Sequence, residues 1–325
     1  MSDLAELAVV ERDGFAESRH HGTLVALSAD GRVAFAAGDP DAPILPRSSV
    51  KPWQAVACRA LGLELDAAGT ALSAGSHTGE DAHVAVVREI LASAGLGEDA
   101  LGCPPDRPEN VPTRDRLIAA GSPPERIRMN CSGKHAAMLA ASVRNGWDVA
   151  GYLDADHPVQ QRVRAAIEEA SGGPVTHVTT DGCGAPLFGT TTLGLARAAS
   201  RLVTAAGGTP ERVVADAMRA EPFYVAGTGH VNTELMRRVP GVVAKGGAEG
   251  VLIAAAADGR AVAMKVLDGS PRATTMLAVA ALTALGVDTS DAGDLAEVPV
   301  LGGGRPVGRI RLGVDVAELA SVGPR

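Results

Sequence analysis

The stretch Arg47-Ser48-Ser49-Val50-Lys51-Pro52 decides the reading of this chain. Ser48 and Lys51 stand three positions apart, and at the start of a helix such residues share a face. A serine hydroxyl and a lysine amine can then touch. Serine is a poor nucleophile near neutral pH and needs a neighbouring base to take its proton. A lysine partly buried beside it can shed its charge and become that base.

Working outward, residues 50–62 read as a helix, since Pro52 is tolerated in a first turn. Upstream, Leu24 to Phe35 holds two apolar runs around Asp30-Gly31, a hairpin signal. Just before it, His20 and His21 read as exposed loop residues, because adjacent side chains diverge. From about 65 to 230 the pattern is mostly helical, with segments at 83–94, 135–143, 160–170 and 193–206. Pro- and Gly-rich breaks interrupt it at 102–112 and 121–124. After 242 short strands are predicted at 242–245, 250–257 and 261–266, with a turn at Asp258-Gly259. A helix over 271–285 and a last strand at 308–312 follow. Strands at both ends around a helical middle predict an α/β (α+β) fold, with an antiparallel sheet built from both termini and a helical lobe inserted. That is a β-lactamase/transpeptidase-like architecture, and Ser-x-x-Lys opens the catalytic signature of those enzymes. The expected organisation is a single catalytic unit over 1–325. Its sheet lobe covers about 1–62 and 235–325, and its helical lobe about 63–234.

The whole chain sets limits on function. Its 325 residues suffice for a sizeable core, and 46% hydrophobic with 21% charged residues reads as globular. Aromatics are only 2%, so Ala, Val and Leu must fill the interior. The net charge of −8 carries no basic block, which disfavours nucleic acid as a partner. No apolar run reaches the length of a membrane span. The acidic start Met1-Ser2-Asp3-Leu4-Ala5-Glu6 lacks the features of a signal peptide, so the expected location is cytoplasmic. Four cysteines, Cys58, Cys103, Cys131 and Cys183, are too few for a disulfide framework.

Four further clusters hold chemistry-bearing residues. Ser73-Ala74-Gly75-Ser76-His77-Thr78-Gly79-Glu80 surrounds a serine and a histidine with small residues, open to a ligand or equally a plain turn before the next helix. Asn130-Cys131-Ser132-Gly133-Lys134-His135 is not a phosphate-binding loop, because Arg128 and His135 stand where that motif needs Gly and Ser or Thr. Asp181-Gly182-Cys183-Gly184 flanks a thiol with glycines. Cys131 and Cys183 can meet as soft zinc ligands with Asp181 or His135 nearby, or remain unpaired thiols beside a pocket. Lys245-Gly246-Gly247 ends an apolar run and resembles the Lys-Thr-Gly strand end of penicillin-interacting enzymes; Lys265 is a second candidate lysine.

In this order the clusters resemble the asparaginase II family, the Rhizobium etli type of L-asparaginase. The resemblance runs from Glu17-Ser18-Arg19-His20 through all the clusters above to Asp268-Gly269. It implies hydrolysis of the side-chain amide of L-asparagine on a fold shared with serine β-lactamases and glutaminases. Ser48 is then the nucleophile or its activator with Lys51 as base. Ser76 forms a second pair with Lys245, or with Lys265. Arg47, His77, Asp181 and Gly246 are expected around the substrate. Cys131, Lys134 and Cys183 are expected to hold one zinc ion, with no organic cofactor. Lysine must be neutral to donate to a metal, which predicts a strongly depressed pKa at Lys134. The family also implies a homodimer. Competing readings are a penicillin-recognising hydrolase, a glutaminase, or a non-catalytic zinc-binding module.

Overall fold

Val251–Ala255 and Ala261–Val266 are apolar almost throughout and buried at both odd and even positions. Successive strand residues point to opposite faces, so both faces of the sheet are covered here. The structure, a computed structural model, describes residues 4–320. The reading of the acidic start therefore rests partly on Met1 to Asp3, which lie outside the described residues.

The strands in chain order are β1 (Ala5–Arg12), β2 (Phe15–Leu27), β3 (Val33–Ala37), β4 (Pro43–Ile44), β5 (Val178–Thr180), β6 (Pro186–Phe188), β7 (Thr190–Thr191), β8 (Val243–Gly247), β9 (Val251–Ala255), β10 (Ala261–Val266), β11 (Val298–Gly302) and β12 (Arg305–Leu312). The helices are α1 (Lys51–Ala60), α2 (Ala67–Ser73), α3 (Asp81–Ser93), α4 (Val111–Ala119), α5 (Ser132–Arg144), α6 (Pro158–Ser171), α7 (Thr192–Thr204), α8 (Pro210–Ala220), α9 (Pro222–Ala226), α10 (Val231–Arg238) and α11 (Thr274–Ala284). A 3₁₀ turn, Arg47–Val50, leads directly into α1.

Eight strands form one antiparallel sheet in the order β11-β12-β1-β2-β10-β9-β8, with β3 also paired to β2. Both chain ends thus build the sheet. The hairpins expected at Asp30-Gly31 and Asp258-Gly259 are present, joining β2 to β3 and β9 to β10. Gly259 takes φ +100°, a conformation that only glycine adopts without strain. Helices α7 and α11 pack on the sheet, while α1, α2, α3, α5, α6 and α8 pack on one another. The interior is built of Ala, Val and Leu, with Trp53 as its one buried tryptophan among the described residues. Helix starts follow capping chemistry: Thr191 Oγ1 accepts from Gly194 N at 2.9 Å to cap α7, worth about 1 kcal/mol.

Three expectations are corrected. β1 lies in the middle of the sheet although no strand was expected there, and β2 begins at Phe15 rather than Leu24. His20 is not a loop residue: it is buried in β2, with Nδ1 2.6 Å from Asp268 Oδ2 and Nε2 accepting from Arg272 Nε at 2.7 Å. Between residues 65 and 230 the chain is mostly helical, as expected, with strands only at β5, β6 and β7.

Candidate active site

Lys51 and Lys245 are among the largest fully buried side chains of the described residues. An isolated ammonium group in a dry interior is costly, so such a lysine must find acceptors, counter-charges or a neutral state. Both converge on one hydroxyl. Lys51 Nζ lies 2.8 Å and Lys245 Nζ 2.9 Å from Ser76 Oγ. Lys51 Nζ also donates to Asn130 O at 3.2 Å, and Lys245 Nζ to Gly246 O at 2.6 Å. Burial, and then repulsion from the Lys51 charge, holds the Lys245 amine far below the ordinary lysine range.

Backbone contacts fix Ser76 in this position. Its N–H donates to Val225 O at 2.8 Å, and the next N–H, of His77, donates to Asn130 O at 3.1 Å. The close approach requires glycine at 75, where a Cβ would lie 2.7 Å from the carbonyls of both Tyr224 and Val225. On the other side, a Cβ at Gly247 would lie 3.0 Å from Ser49 N, 3.2 Å from Ser48 N and 2.8 Å from Pro46 O. Strand β8 therefore runs against the start of α1, and the lysine of one meets the lysine of the other.

Ser48 and Lys51 do not hydrogen-bond. Lys51 is the first residue of α1, and its amine is taken up by Ser76 and the Asn130 carbonyl. Ser48 Oγ, half-buried, has no hydrogen-bond partner among the described residues. Of the two candidate partners of Ser76, Lys245 is in contact. Lys265 is not: its Nζ donates to the carbonyls of Glu249, at 2.7 Å, and Val266.

The polar rim is organised by Arg47, whose φ of +51° is strained for a non-glycine residue. Its Nε donates to Asp181 Oδ1 at 2.7 Å, and its guanidinium lies 3.8 Å from Glu249. Asp181 Oδ2 faces Lys134 at 3.9 Å. Gly246 packs against Asn232, whose Nδ2 lies 3.2 Å from where a Cβ would stand. His77 is a correction to the expected substrate contacts. It is fully buried, its Nδ1 accepts from Gly79 N at 3.2 Å, and its Nε2 meets Ser132 Oγ at 2.9 Å. Both ring nitrogens are spent inside the protein.

Cys131, Cys183 and Lys134 also converge. The Cys183 thiol hydrogen-bonds to Cys131 and, with the Lys51 and Lys134 charges, holds the Cys131 thiol well below its ordinary range despite burial. That same hydrogen bond, together with burial, pushes Cys183 up. Burial pulls the Lys134 amine down, but Cys131, Cys183 and Asp181 outweigh it and the amine is held up. The depressed pKa expected at Lys134 belongs to a zinc-bound site; with its sulfur and carboxylate neighbours alone the amine is held up, and the depression falls on Lys245. Among the described residues no group of three His, Cys, Asp or Glu side chains is placed to hold a metal. A soft ion here would depend on the two sulfurs and on Lys134 giving up its proton.

Sequence reasoning missed His230, Asn232 and Glu109. Burial and the Lys245 charge press the His230 imidazole down to about 4. The signal for it was available: Gly227-Thr228-Gly229-His230 is another polar cluster among glycines, just ahead of α10. A groove of about 880 Å³ between α11 and the β11-β12 hairpin contains none of these residues.

A family model described as L-asparaginase II matches residues 8–312. The chain belongs to the L-asparaginase II family. Members of this family are amidohydrolases acting on small molecules, and the fold is the mixed helix and antiparallel-sheet arrangement described above. No curated protein matches the chain in a sequence search. Among solved structures it is similar to a β-lactamase from Mycobacterium bovis, at 15% identity and a TM-score of 0.40, over 84% of this chain and 93% of that one. It is also similar to Mglu in its native form, at 13% identity and a TM-score of 0.41, over 76% of this chain and 58% of that one. A third likeness is to a simvastatin synthase from Aspergillus terreus, at 12% identity and a TM-score of 0.39, over 76% of this chain and 86% of that one. No helix among the described residues is long and apolar enough to cross a membrane.

Proposed function

We propose that this member of the L-asparaginase II family hydrolyses the side-chain amide of L-asparagine to L-aspartate and ammonia. The observation that carries the reading is the Ser76 hydroxyl held between two buried lysine amines, those of Lys51 and Lys245, while Ser48, three residues before Lys51, keeps its hydroxyl without a partner among the described residues. With Lys245 neutral, the Ser76 hydroxyl donates to Lys245 and accepts from Lys51. A proton can then leave Lys51 through Ser76 to Lys245. Lys51, so discharged, takes the proton of Ser48, and Ser48 Oγ attacks the carboxamide carbon. The Ser48 N–H, which has no partner within the turn, is placed to meet the developing oxyanion. The relay returns a proton to the leaving ammonia, and water hydrolyses the acyl-enzyme. Direct attack by Ser76 is the second reading, favoured by its actual contact with both lysines.

In this reading Arg47 binds the substrate's α-carboxylate. It stays oriented by Asp181, and its charge is only partly answered by Glu249. Cys131, Cys183 and Lys134 would hold the zinc ion implied by the family, which when bound supplies a positive charge that orients a polar group of the substrate. A homodimer and a cytoplasmic location belong to the same reading.

The test is ammonia release by the purified protein from L-asparagine and L-glutamine, beside hydrolysis of a chromogenic β-lactam followed by its colour change. Turnover of asparagine exceeding that of the other two is expected. A β-lactam turned over faster than either amide would replace this reading with a penicillin-recognising hydrolase.

A further inference from the structure

An amino-acid substrate brings an ammonium group as well as a carboxylate, and a site that takes one must answer that positive charge. Three carboxylates are tied to the site residues. Asp181 is spent: Oδ1 accepts from Arg47 Nε at 2.7 Å and from Gly182 N at 2.9 Å, and Oδ2 faces Lys134 at 3.9 Å. Glu249 stands 3.8 Å from the Arg47 guanidinium. Glu109 is different. Its Oε1 accepts from the neutral amide of Asn130 at 2.7 Å, and it has no cationic partner among the described residues.

The position of Glu109 is built rather than incidental. Asn130 is the residue whose carbonyl receives Lys51 Nζ at 3.2 Å and His77 N at 3.1 Å. Glu109 is thus one side chain away from the Lys51–Ser76 contact. Its loop is pinned to the serine loop where Asn110 N donates to Thr78 O at 3.0 Å and where Pro108 packs against Gly79. Pro108 is buried and Asn110 caps α4 through Thr113 N at 3.0 Å, so both neighbours of Glu109 are anchored while Glu109 itself is exposed. The charge of Glu109 also acts on Lys245, favouring its protonated form. An unanswered anion is therefore held at the rim beside the reacting hydroxyl.

Resting on the asparaginase reading above, we infer that Glu109 binds the α-ammonium group of the substrate, making it a specificity-determining residue that separates amino-acid amides from their deaminated analogues. Arg47 and Glu109 then read the two charges of the amino-acid head, while the amide enters between Ser48 and Ser76.

The experiment compares L-asparagine with succinamate, the same amide lacking the ammonium group, in the wild type and in Glu109→Gln. Glutamine keeps an oxygen to accept from Asn130, so a purely structural role survives the change. The ratio of kcat/KM for asparagine to that for succinamate is expected to fall about 10- to 100-fold in the variant, as for loss of a charged hydrogen bond, chiefly through KM for asparagine. An unchanged ratio overturns the inference. Calorimetry with L-aspartate and succinate reads the same subsite without turnover. The wild type is expected to bind L-aspartate more tightly than succinate, and Glu109→Gln is expected to lose that difference; equal binding by the wild type overturns the inference. A wild type that releases no ammonia from asparagine yet keeps the Glu109-dependent preference for L-aspartate sinks the proposed reaction and leaves the subsite standing.

Discussion

Lys245 concentrates the chemistry and the cost of this site in one side chain. It is buried beside a second lysine, and both its surroundings and that neighbour press its amine toward neutrality. Its folded pKa lies below its unfolded value, so between the two the unfolded chain binds a proton that the folded chain does not. Stability is therefore lost as pH falls below the ordinary lysine value of about 10.4. Lys245→Met is expected to raise stability at pH 7 by about 0.5–2 kcal/mol, with a smaller gain near pH 10, as thermal melts at the two pH values would report. The same change is expected to lower kcat for amide hydrolysis by about 10²- to 10⁴-fold, the usual worth of a proton-transfer group. In the wild type, activity is expected to fall as pH drops through the folded pKa of Lys245. At this scale the sequence named Ser48, Lys51, Ser76 and Lys245 but not their contacts. Spacing within a helix suggested that Lys51 meets Ser48, whereas its long side chain crosses to Ser76 and Asn130. The choice between Lys245 and Lys265 needed the sheet order, which puts β8 and not β10 against the start of α1. His77 was drawn toward the substrate by its neighbour, although it points into the interior.

At the scale of elements, what matters is how close β8 comes to the turn ahead of α1. Gly247 permits that approach, because a Cβ would stand 2.8 Å from Pro46 O and 3.0 Å from Ser49 N. Gly247→Ala must push the strand from the helix start and so part Lys245 from Lys51. A misplacement on the order of 1 Å costs about 10²-fold in rate, and this loss in kcat is expected with circular dichroism unchanged. Long periodic elements were legible: the apolar runs of β9 and β10 and the helical periods of α3, α5, α6 and α7 fall within a few residues of their expected places. β1 was not. Its residues from Ala5 to Val10 are all buried, so it shows no alternation, and its own partners lie partly at the far end of the chain. The outer half of β2 is polar and mostly solvent-facing, which hid its true start and made His20 look exposed.

For the whole molecule, the site is assembled from segments far apart in the chain: the α1 start, the Ser76 loop, the Asn130–Lys134 turn, Asp181–Cys183 and β8. The sheet built from both termini brings β8 to α1, and the helices between them deliver the remaining loops. Their order in the sequence was what made the family recognisable. Glu109 escaped because a lone acid in a proline-rich loop carries no spacing of its own, whereas His230 had only the glycine cluster ahead of α10 to mark it. The central claim is that the two serines and two lysines act together on an amide, with Ser48 as the attacking group. The direct measurement is steady-state ammonia release from L-asparagine by the wild type and by Ser48→Ala at equal concentration. The account predicts turnover by the wild type and a loss of about 10³-fold or more in kcat for the variant. A Ser48→Ala enzyme that releases ammonia at close to the wild-type rate would contradict it.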